Sequence, residues 1–410
     1  MKRANHTALL VLAGLATTLG TCYSAQDWPQ WRGPNRDDKA SGFDAPKTWP
    51  LKLNEKWRVT VGKGDASPAV VDGKVYAFAR QDADELLACL DAATGKEVWR
   101  EKYESQAAAE PMGRHPGPRS SPAVAAGKVV TYGARGILSC FDAANGKLVW
   151  RKDDLAGTWP RFFTSASPLI TDGLCIAQLG SEDKGGIFAY DLSSGIEKWK
   201  WTADGTAYSS PTLLTVGGTK MLVAMTAKRI IGLGITDGKL LWEVPFAVQG
   251  RAYNAATPIV DGQNVIFAGS GRGTKAVKIE KSGDGFTATD LWSNQDNAVQ
   301  FNTPVLKSGQ LYGLSQKGDL FCLDAQTGKT LWTSNLGGKD FGSIVDTGSS
   351  LVALTPGGRL TVFEPSDKAF KELASYKVAE SPNETYAHPV LAGSGIYIKD
   401  QETVALWSPN

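Results

Sequence analysis

The sequence predicts an all-β protein, an eight-bladed β-propeller of four-stranded antiparallel blades, and three observations lead to this fold class. The first is a repeat of about 46 residues that opens with Ser-Pro or Thr-Pro. The second is a hairpin within the repeat, in which three residues separate an Asp from a Gly. The third is a tryptophan that follows this Gly by four residues.

The composition agrees with a turn-rich β protein and excludes two classes of protein. The chain has 410 residues, of which 45 are Gly and 13 are Trp, and its formal net charge is +2. Gly therefore exceeds its average share of about 7%. A disordered chain needs low hydrophobicity and high net charge, and a nucleic-acid-binding chain needs a basic excess. Neither pattern is present.

The first 25 residues read as a signal peptide. Lys2 and Arg3 precede an apolar run at 8–19, which is too short for a transmembrane helix of about 20 residues. Two processing routes stay open. Residues 19–22 resemble a lipoprotein signal that ends at a lipidated Cys22, and an ordinary signal-peptidase cut after Ser24 also fits. Both routes predict an exported protein, periplasmic or attached to the outer membrane.

Eight repeats define the propeller. Six begin with a Ser-Pro or Thr-Pro pair, whose first residues are Ser67, Ser121, Ser167, Ser210, Thr257 and Thr303. A seventh begins at 343–344 without the proline, and the eighth carries His388-Pro389. In the hairpin, the Asp carboxylate can accept backbone N–H bonds across the turn, and the Gly supplies the positive φ that ends it.

The recurring tryptophan is interpreted as a wedge between neighbouring blades. A large ring that recurs with the repeat is best used for packing between neighbouring sheets, and its spacing from the hairpin is nearly constant. The predicted docking residues are Trp57, Trp99, Trp150, Trp199, Trp242, Trp292 and Trp332.

Closure of the ring is predicted from the two ends of the repeat region. The eighth repeat ends before any tryptophan strand of its own, whereas residues 53–59 form such a strand before the first repeat. Placed on the last blade, this strand removes the free sheet edge. The propeller domain is thus predicted over 53–410. Residues 26–52 precede the first repeat strand and are expected to be a peripheral extension.

The cysteines and histidines predict neither a disulfide nor a zinc site. Cys89, Cys140 and Cys322 occupy one repeat position in different blades, which should exceed the ~7 Å Cα limit for a disulfide. His115 and His388 are far apart in sequence and lack zinc-ligand spacing.

The hairpin at 91–99 resembles the tryptophan-docking repeat of the pyrroloquinoline-quinone (PQQ)-like propeller family. The resemblance covers residues 53–408. Residues 28–37 are similar to the mature N-terminus of exported, BamB-like members. The resemblance implies a β-propeller, and for BamB-like members it implies a scaffold in the assembly of outer-membrane β-barrel proteins.

The same family includes quinoprotein dehydrogenases, which the resemblance describes as holding PQQ in the channel with calcium, an Asp base and adjacent cysteines. This chain has no adjacent cysteines and little room for insertions. We therefore predict no cofactor and no metal, with PQQ as the less favoured alternative. Whether the protein is an enzyme stays open, a non-enzymatic role is favoured, and no catalytic residue is assigned.

Residues two before each Ser/Thr-Pro position should line one mouth of the channel. They are Asp65, Arg119, Ser165, Tyr208, Ala255, Phe301, Phe341 and Tyr386, with Tyr253, Asn254 and Asn302 beside them. Two interpretations stay open. The aromatics, amides and arginine can bind a planar or sugar-like ligand, or the side chains fill the channel and satisfy one another.

The loop at 101–119 is a second candidate site, because long irregular loops are often functional. A helical turn at 107–109 would present Met112, Arg114 and His115 to a partner, and a surface loop without a binding role fits equally.

The favoured function is a non-enzymatic, exported scaffold for envelope or secreted proteins, in the outer-membrane β-barrel assembly that the resemblance implies. The alternative is a PQQ-dependent dehydrogenase-like propeller, or one that binds a small ligand or carbohydrate at the channel mouth. We expect no nucleic-acid partner, and contact with a membrane only through a lipid anchor at Cys22.

Overall fold

The fold follows from a computed structural model, which describes residues 27–109, 112–248, 253–336, 341–379 and 385–410. In these ranges 32 strands form eight four-stranded antiparallel sheets, and there is no helix, so none that could span a membrane. The first strand of each blade lies innermost, against the first strands of its neighbours. The predicted eight-bladed β-propeller is confirmed.

Each of the first seven blades consists of four consecutive strands, and the eighth combines both ends of the repeat region. Strand β1 (Asn54–Thr60) precedes the first blade. Blade 1 comprises β2 (Ala69–Val71), β3 (Lys74–Gln81), β4 (Asp84–Asp91) and β5 (Glu97–Glu104), and blade 2 comprises β6 (Ala123–Ala125), β7 (Lys128–Tyr132), β8 (Leu138–Asp142) and β9 (Leu148–Lys152). Blade 3 comprises β10 (Leu169–Thr171), β11 (Leu174–Gly180), β12 (Gly185–Asp191) and β13 (Glu197–Trp201), and blade 4 comprises β14 (Thr212–Val216), β15 (Thr219–Met225), β16 (Arg229–Gly234) and β17 (Leu240–Pro245). Blade 5 comprises β18 (Ile259–Asp261), β19 (Asn264–Gly269), β20 (Gly273–Ser282) and β21 (Gly285–Asn294), and blade 6 comprises β22 (Val305–Lys307), β23 (Gln310–Leu314), β24 (Asp319–Asp324) and β25 (Thr330–Asn335). Blade 7 comprises β26 (Ser343–Asp346), β27 (Leu351–Leu354), β28 (Arg359–Phe363) and β29 (Glu372–Lys377). Blade 8 contains β30 (Val390–Ala392), β31 (Gly395–Lys399) and β32 (Thr403–Ser408).

The ring closes between the two ends of the chain, as predicted. Strand β1 pairs with β32 along its whole length, from Asn54 opposite Ser408 to Thr60 opposite Thr403. It begins one residue later than the sequence predicts. The last blade therefore has the order β1-β32-β31-β30.

Hydrogen bonds between blades explain the Ser/Thr-Pro repeat. The amide of the Ser or Thr in one blade donates to the hydroxyl of its equivalent in the next blade: Ser121 to Ser167 (2.9 Å), Ser167 to Ser210 (2.8 Å) and Thr257 to Thr303 (2.8 Å). At the closing blade the amide of His388 donates to the Ser67 hydroxyl at 2.8 Å. These bonds connect the inner ends of the blades at four of the eight junctions, including that of blades 8 and 1.

A β-bulge recurs in every blade, where the third strand pairs with the fourth. In blade 1, Cys89 lies opposite Trp99 and Leu90 lies opposite Glu97, so Val98 has no cross-strand partner. The same register shift occurs in the other seven blades. A bulge bends its strand and redirects the following side chain. Each bulge directly precedes the tryptophan position and so favours an indole that faces the next blade.

The indole rings connect consecutive blades. Six tryptophans donate the Nε1–H to a backbone carbonyl of the next blade: Trp57 to Ala92 (3.1 Å), Trp99 to Ala143 (3.2 Å), Trp150 to Leu192 (2.8 Å), Trp199 to Ile235 (2.8 Å), Trp292 to Ala325 (3.0 Å) and Trp332 to Ser366 (2.8 Å). Trp242 differs, because its Nε1 contacts Sδ of Met221 in its own blade at 3.0 Å. The next blade has the long hairpin β20–β21 instead of the Asp-to-Gly turn.

Two glycines of blade 1 test how much the tryptophan contact contributes. Gly95 and Gly73 have almost the same positive φ, 71° and 68°. A Cβ on Gly95 would lie 2.8 Å from the Trp57 ring, whereas a Cβ on Gly73 would meet nothing within 4 Å. We expect Gly73→Ala to lower the free energy of unfolding by ~1–2 kcal/mol, the cost of a left-handed non-Gly residue. Gly95→Ala should lower it by a further ~1–3 kcal/mol through overpacking.

Denaturant unfolding of the two variants measures this difference. Equal losses of stability would contradict the packing of Trp57 against the hairpin of blade 1.

The described part of the N-terminal extension fills the channel, and residues 27–49 are here called the plug. Trp28 is 1% exposed and pairs with Val70 of the inner strand β2. Arg32 and Asp38 are also buried. The expectation of a peripheral segment is therefore wrong. The segment follows no repeat pattern, but a propeller channel needs filling, and its apolar and paired polar side chains supply this.

The plug runs up the channel and back. It starts at the end of the channel where each inner strand leads into the turn before the second strand, here called the turn end. There, Oδ1 of Asp27 accepts a hydrogen bond from the Asp72 amide, in the turn after β2. At the opposite end, the Trp31 indole donates to the Thr257 hydroxyl at 3.0 Å. The chain then returns to the turn end, where the Ala40 amide donates to the Asp346 carbonyl.

Buried charges hold the plug in place. The Arg32 guanidinium forms an ion pair with Asp38 and donates to the Pro304 carbonyl at 3.0 Å. Asp38 also faces Nδ1 of His388 at 3.4 Å, and Arg36 donates to the Pro168 carbonyl at 2.9 Å. Burial alone would raise the pKa of Asp38, but Arg32 and His388 outweigh it and lower this pKa below its usual range.

The cysteines of the blades are free and buried, in agreement with the prediction of no disulfide. Burial raises the pKa of the Cys89 thiol to about 11 and that of Cys140 and Cys322 to about 12. Since the thiolate is the reactive form, these side chains act as packing groups.

Candidate functional site

The end of the channel opposite the turn end holds a cavity of about 260 Å³, here called the cup. Its walls come from the connections that lead into all eight inner strands, and Trp31 of the plug contributes to its lining. Ten of the eleven predicted mouth residues line it: Asp65, Arg119, Ser165, Tyr208, Tyr253, Ala255, Phe301, Asn302, Phe341 and Tyr386.

The aromatic side chains of the cup form a continuous series of ring contacts. Tyr253 and Phe301 stack in parallel with ring centroids 5.3 Å apart, and Phe341 and Tyr386 do so at 4.3 Å. Phe301 meets both Phe341 and Tyr386 edge-on, and Tyr208 meets Tyr253 in the same way. Aromatic pairs contribute about 0.5–1.5 kcal/mol each beyond area burial. The rings therefore support one another, and a cavity still remains between them.

Of the described residues in the cup wall, one is a carboxylate and one is an arginine. The Asp65 carboxylate lies 2.9 Å from Nδ1 of His115. Arg119 donates to the carbonyls of Phe162 and His115 at 3.0 and 2.9 Å. Burial lowers the pKa of Arg119 while Asp65 opposes this shift, and the guanidinium keeps its charge.

The loop before blade 2 folds over the cup instead of extending outward. Strand β5 ends at Glu104, and the chain at 107–109 is not helical, so the predicted helical turn is wrong. The Ala107 carbonyl instead accepts two bonds from the Arg135 guanidinium, at 3.0 and 2.9 Å. A backbone held by a side chain of blade 2 is thus preferred over an isolated helical turn of three alanines.

The three residues predicted to meet a partner from this loop separate in the structure. Met112 and His115 line the cup, and His115 is buried. Arg114 is exposed and does not line it. Residues 110 and 111 lie outside the described chain.

Asn254, predicted at the mouth, is placed elsewhere. Its side chain is 1% exposed, donates to the Thr226 carbonyl at 2.8 Å and accepts a bond from Arg272 at 2.7 Å. It connects backbone segments behind the cup wall, so its role is structural.

Sequence reasoning missed three ring-bearing side chains that line the cup, and Thr385 as well. Phe162 lies three residues before Ser165, outside the row that the repeat identified. His388 occupies the Ser place of the eighth Ser/Thr-Pro pair, and its ring lies 4.3 Å from that of Trp31. Trp31 precedes all repeats, and no periodic signal could have found it.

Comparison with known proteins agrees with this architecture. A family model described as outer membrane protein assembly factor BamB matches residues 52–179 and 110–334, which together span β1 and blades 1 to 6. The chain belongs to this family.

Individual members of the BamB family are distant relatives of the chain. Outer membrane protein assembly factor BamB of Yersinia pestis is 24% identical over 296 residues, covering 65% of this chain and 72% of that protein. The protein of the same name from Salmonella typhimurium is 25% identical over 305 residues, covering 68% and 71%. A quinohemoprotein alcohol dehydrogenase of Comamonas testosteroni is 29% identical over 182 residues, covering 43% of this chain and 25% of that enzyme.

Solved structures share the propeller fold of the BamB family. BamB from Moraxella catarrhalis matches with a TM-score of 0.62 and 15% identity, covering 87% of this chain and 97% of that one. The Comamonas testosteroni dehydrogenase matches with a TM-score of 0.69 and 15% identity, covering 94% and 80%. At these identities the likeness concerns the fold alone.

The residues of the cup do not fit the calcium-bound quinone of the dehydrogenases. Asp65 is the one carboxylate among the described residues that line the cup, and it is already paired with His115. Within the described chain no three acidic, His or Cys side chains come together in a group able to hold a metal ion. Calcium needs six to eight oxygen ligands, and this donor set does not provide them.

Proposed function

We propose that this chain is an exported scaffold that contributes to outer-membrane protein assembly, the role named for its BamB relatives. The observation that carries the proposal is the match to the BamB family across β1 and six of the eight blades. In its favour, a closed ring filled by its own plug is rigid, and a rigid ring suits a protein that positions partners.

A band of exposed apolar side chains on the outer strands is the candidate partner surface. Val98, Val149, Leu291 and Leu373 are all bulge residues in the fourth strands of different blades, and each is more than a third exposed. These four side chains occupy equivalent positions around the ring, so a large partner would find several apolar contacts on it. Because a bulge blunts a sheet edge, we infer that a partner binds these side chains and does not extend the blades.

The position of the N-terminus supports a place beside a membrane. Asp27 lies at the turn end, and the five residues from Cys22 to Asp27 can span at most ~18 Å. A lipid on Cys22 would hold the turn end towards the outer membrane. The hairpins that precede the apolar band lie at this same end, as the bond from the Ala92 amide to the Gly73 carbonyl indicates.

Removal of the gene from the organism that makes this chain tests the proposal. We expect the folded β-barrel proteins of the outer membrane to fall severalfold, and the wild-type chain to restore them. Val98→Lys, Leu291→Lys and Leu373→Lys together should fail to restore them. These changes should fold, because Lys56 and Lys198 occupy the same bulge position in blades 8 and 3.

The matched control adds the same charge at exposed polar sites away from the band, with Thr215→Lys, Gln263→Lys and Gln326→Lys. It should restore the barrel proteins fully. Unchanged barrel proteins after removal of the gene would overturn the assembly role. Full restoration by the band variant would remove the band from the proposal.

A further inference from the structure

The cup has the size and walls of a site for one ring. Its volume of about 260 Å³ lies just below the ~300–1,000 Å³ of sites for drug-sized ligands. The parallel pairs Tyr253–Phe301 and Phe341–Tyr386 form aromatic walls, and Trp31 closes the floor. Side chains held by mutual stacking lose little conformational freedom when a ligand binds. The cup is therefore a preformed site.

Two buried oxygens beside the cup have unused hydrogen-bonding capacity. Asn302 and Thr385 line the cup and are 5% and 4% exposed. The Asn302 amide donates to the Leu314 carbonyl, but its Oδ1 has no partner, and neither has Oγ1 of Thr385. Buried polar atoms are nearly always paired, and an unpaired one is costly. A ligand in the cup that carries several hydroxyl groups can supply both partners.

The charges of the cup favour a neutral ligand. Asp65 and Arg119 are of opposite sign, and each is engaged within the wall, by His115 and by backbone carbonyls respectively. Among the lining residues that the structure describes, neither an anion nor a cation would find an unbalanced charge. Aromatic faces, in turn, attract the C–H groups on the flat side of a ring.

We propose that the cup binds a neutral pyranose sugar, either free or as the terminal unit of a glycan. One C–H face of the sugar lies against the aromatic walls, and its hydroxyls bond to Asn302 Oδ1 and Thr385 Oγ1. The volume admits one sugar unit, so a longer glycan enters by its end. The proposal is independent of the role in outer-membrane protein assembly, because it concerns the cup and not the apolar band.

Calorimetry and saturation-transfer NMR on the purified full-length mature chain test the proposal. The probes are glucose, galactose, mannose and N-acetylglucosamine with their methyl glycosides, and the comparison compounds are glucuronate, glucosamine and indole. We expect saturable binding of at least one neutral sugar, with the charged analogue bound at least tenfold more weakly. Tighter binding of an oligosaccharide than of its monomer would identify a glycan end as the source. Binding of indole alone, or of none of the neutral sugars at millimolar concentration, would overturn the proposal.

Two variants place the sugar in the cup. Asn302→Ala should weaken binding about five- to tenfold, the value of one hydrogen bond, whereas Asn264→Ala on strand β19 should not. Phe301→Ala should weaken it by a similar factor, and because Phe301 is 36% exposed this variant should fold. Its control, Leu373→Ala, removes an equally exposed apolar side chain outside the cup. Unchanged affinity in both cup variants, with unchanged melting temperatures, would place the sugar elsewhere and overturn the proposal.

Discussion

Replacing residues 54–60 with a Gly-Ser segment of equal length is expected to abolish cooperative melting and to leave a chain that aggregates. The replacement keeps the connection between the plug and blade 1 but removes every pair between β1 and β32. It exposes the edge of β32, which can then pair with other chains. Propeller stability rests on the closed ring, and a domain has only ~5–15 kcal/mol in total. Differential scanning calorimetry and light scattering measure both effects.

Single substitutions at Trp57 separate strand pairing from ring docking. A fully buried Trp→Ala change costs ~3–5 kcal/mol, and Trp57 is half-buried, so we expect ~2–3 kcal/mol for Trp57→Ala. Trp57→Phe keeps a ring against Gly95 and loses the bond to the Ala92 carbonyl, which costs ~0.5–1.5 kcal/mol. A cooperative, soluble Gly-Ser variant together with a wild-type melting temperature for Trp57→Ala would show that the ring does not depend on β1.

Removal of the Arg32 charge from the plug should destabilise the protein nearly as much as the replacement of residues 54–60. Arg32→Met leaves the buried carboxylate of Asp38 without its ion-pair partner, and breaking a buried pair typically costs ~3–5 kcal/mol. The matched control is Arg36→Met, since Arg36 donates to the Gln30 side chain and to carbonyls of blade 3. This variant loses hydrogen bonds, but none of these bonds is to a carboxylate. We therefore expect a smaller loss of stability than for Arg32→Met.

The pH dependence gives this prediction a second, independent readout. In the wild type the pKa of Asp38 lies below its usual value of about 3.9, so the ionised pair stabilises the fold above that pH and is lost as the pH falls through the folded pKa. In Arg32→Met burial outweighs His388 and raises this pKa. The stability gap between the two proteins should therefore widen as the pH rises from about 4 and narrow below it.

Denaturant unfolding at pH 4 to 8 measures the gap. Arg32→Met combined with Asp38→Asn should recover part of the loss, because no charge is then left buried and unpaired. A constant gap across this pH range would contradict the assignment of the loss to Asp38.

The repeat made the fold predictable from sequence. A pattern that recurs eight times averages out the uncertainty of any single strand, so blade count, ring closure and the docking tryptophans could be inferred. The repeat also identified most of the cup, because residues two before each Ser/Thr-Pro position occupy equivalent places around one axis. Trp242 departs from the pattern because blade 5, which should supply its docking turn, has a longer hairpin instead of the Asp-to-Gly turn.

The plug could not be predicted in this way. Residues 27–49 have no periodicity, and their partners lie in blades up to several hundred residues away. The burial of Arg32 and Asp38 depends on a channel that exists only in the assembled ring. Asn254 was misplaced for a related reason, since it neighbours a lining position but its side chain bonds to backbone behind the wall.

The plug also sets the order in which the ring can form. It leaves the ribosome before any blade, yet Arg32 and Pro304 are 272 residues apart, and Asp38 and His388 are 350 apart. Among the described residues it bonds to seven blades, including the last. Contacts of such long sequence separation form late and slow the folding reaction. An N-terminal fragment therefore cannot complete its own core, and the plug gains its last partners only when the eighth blade is present. Once the ring has closed, spontaneous opening must release all seven blades from the plug together, which favours a long-lived native state.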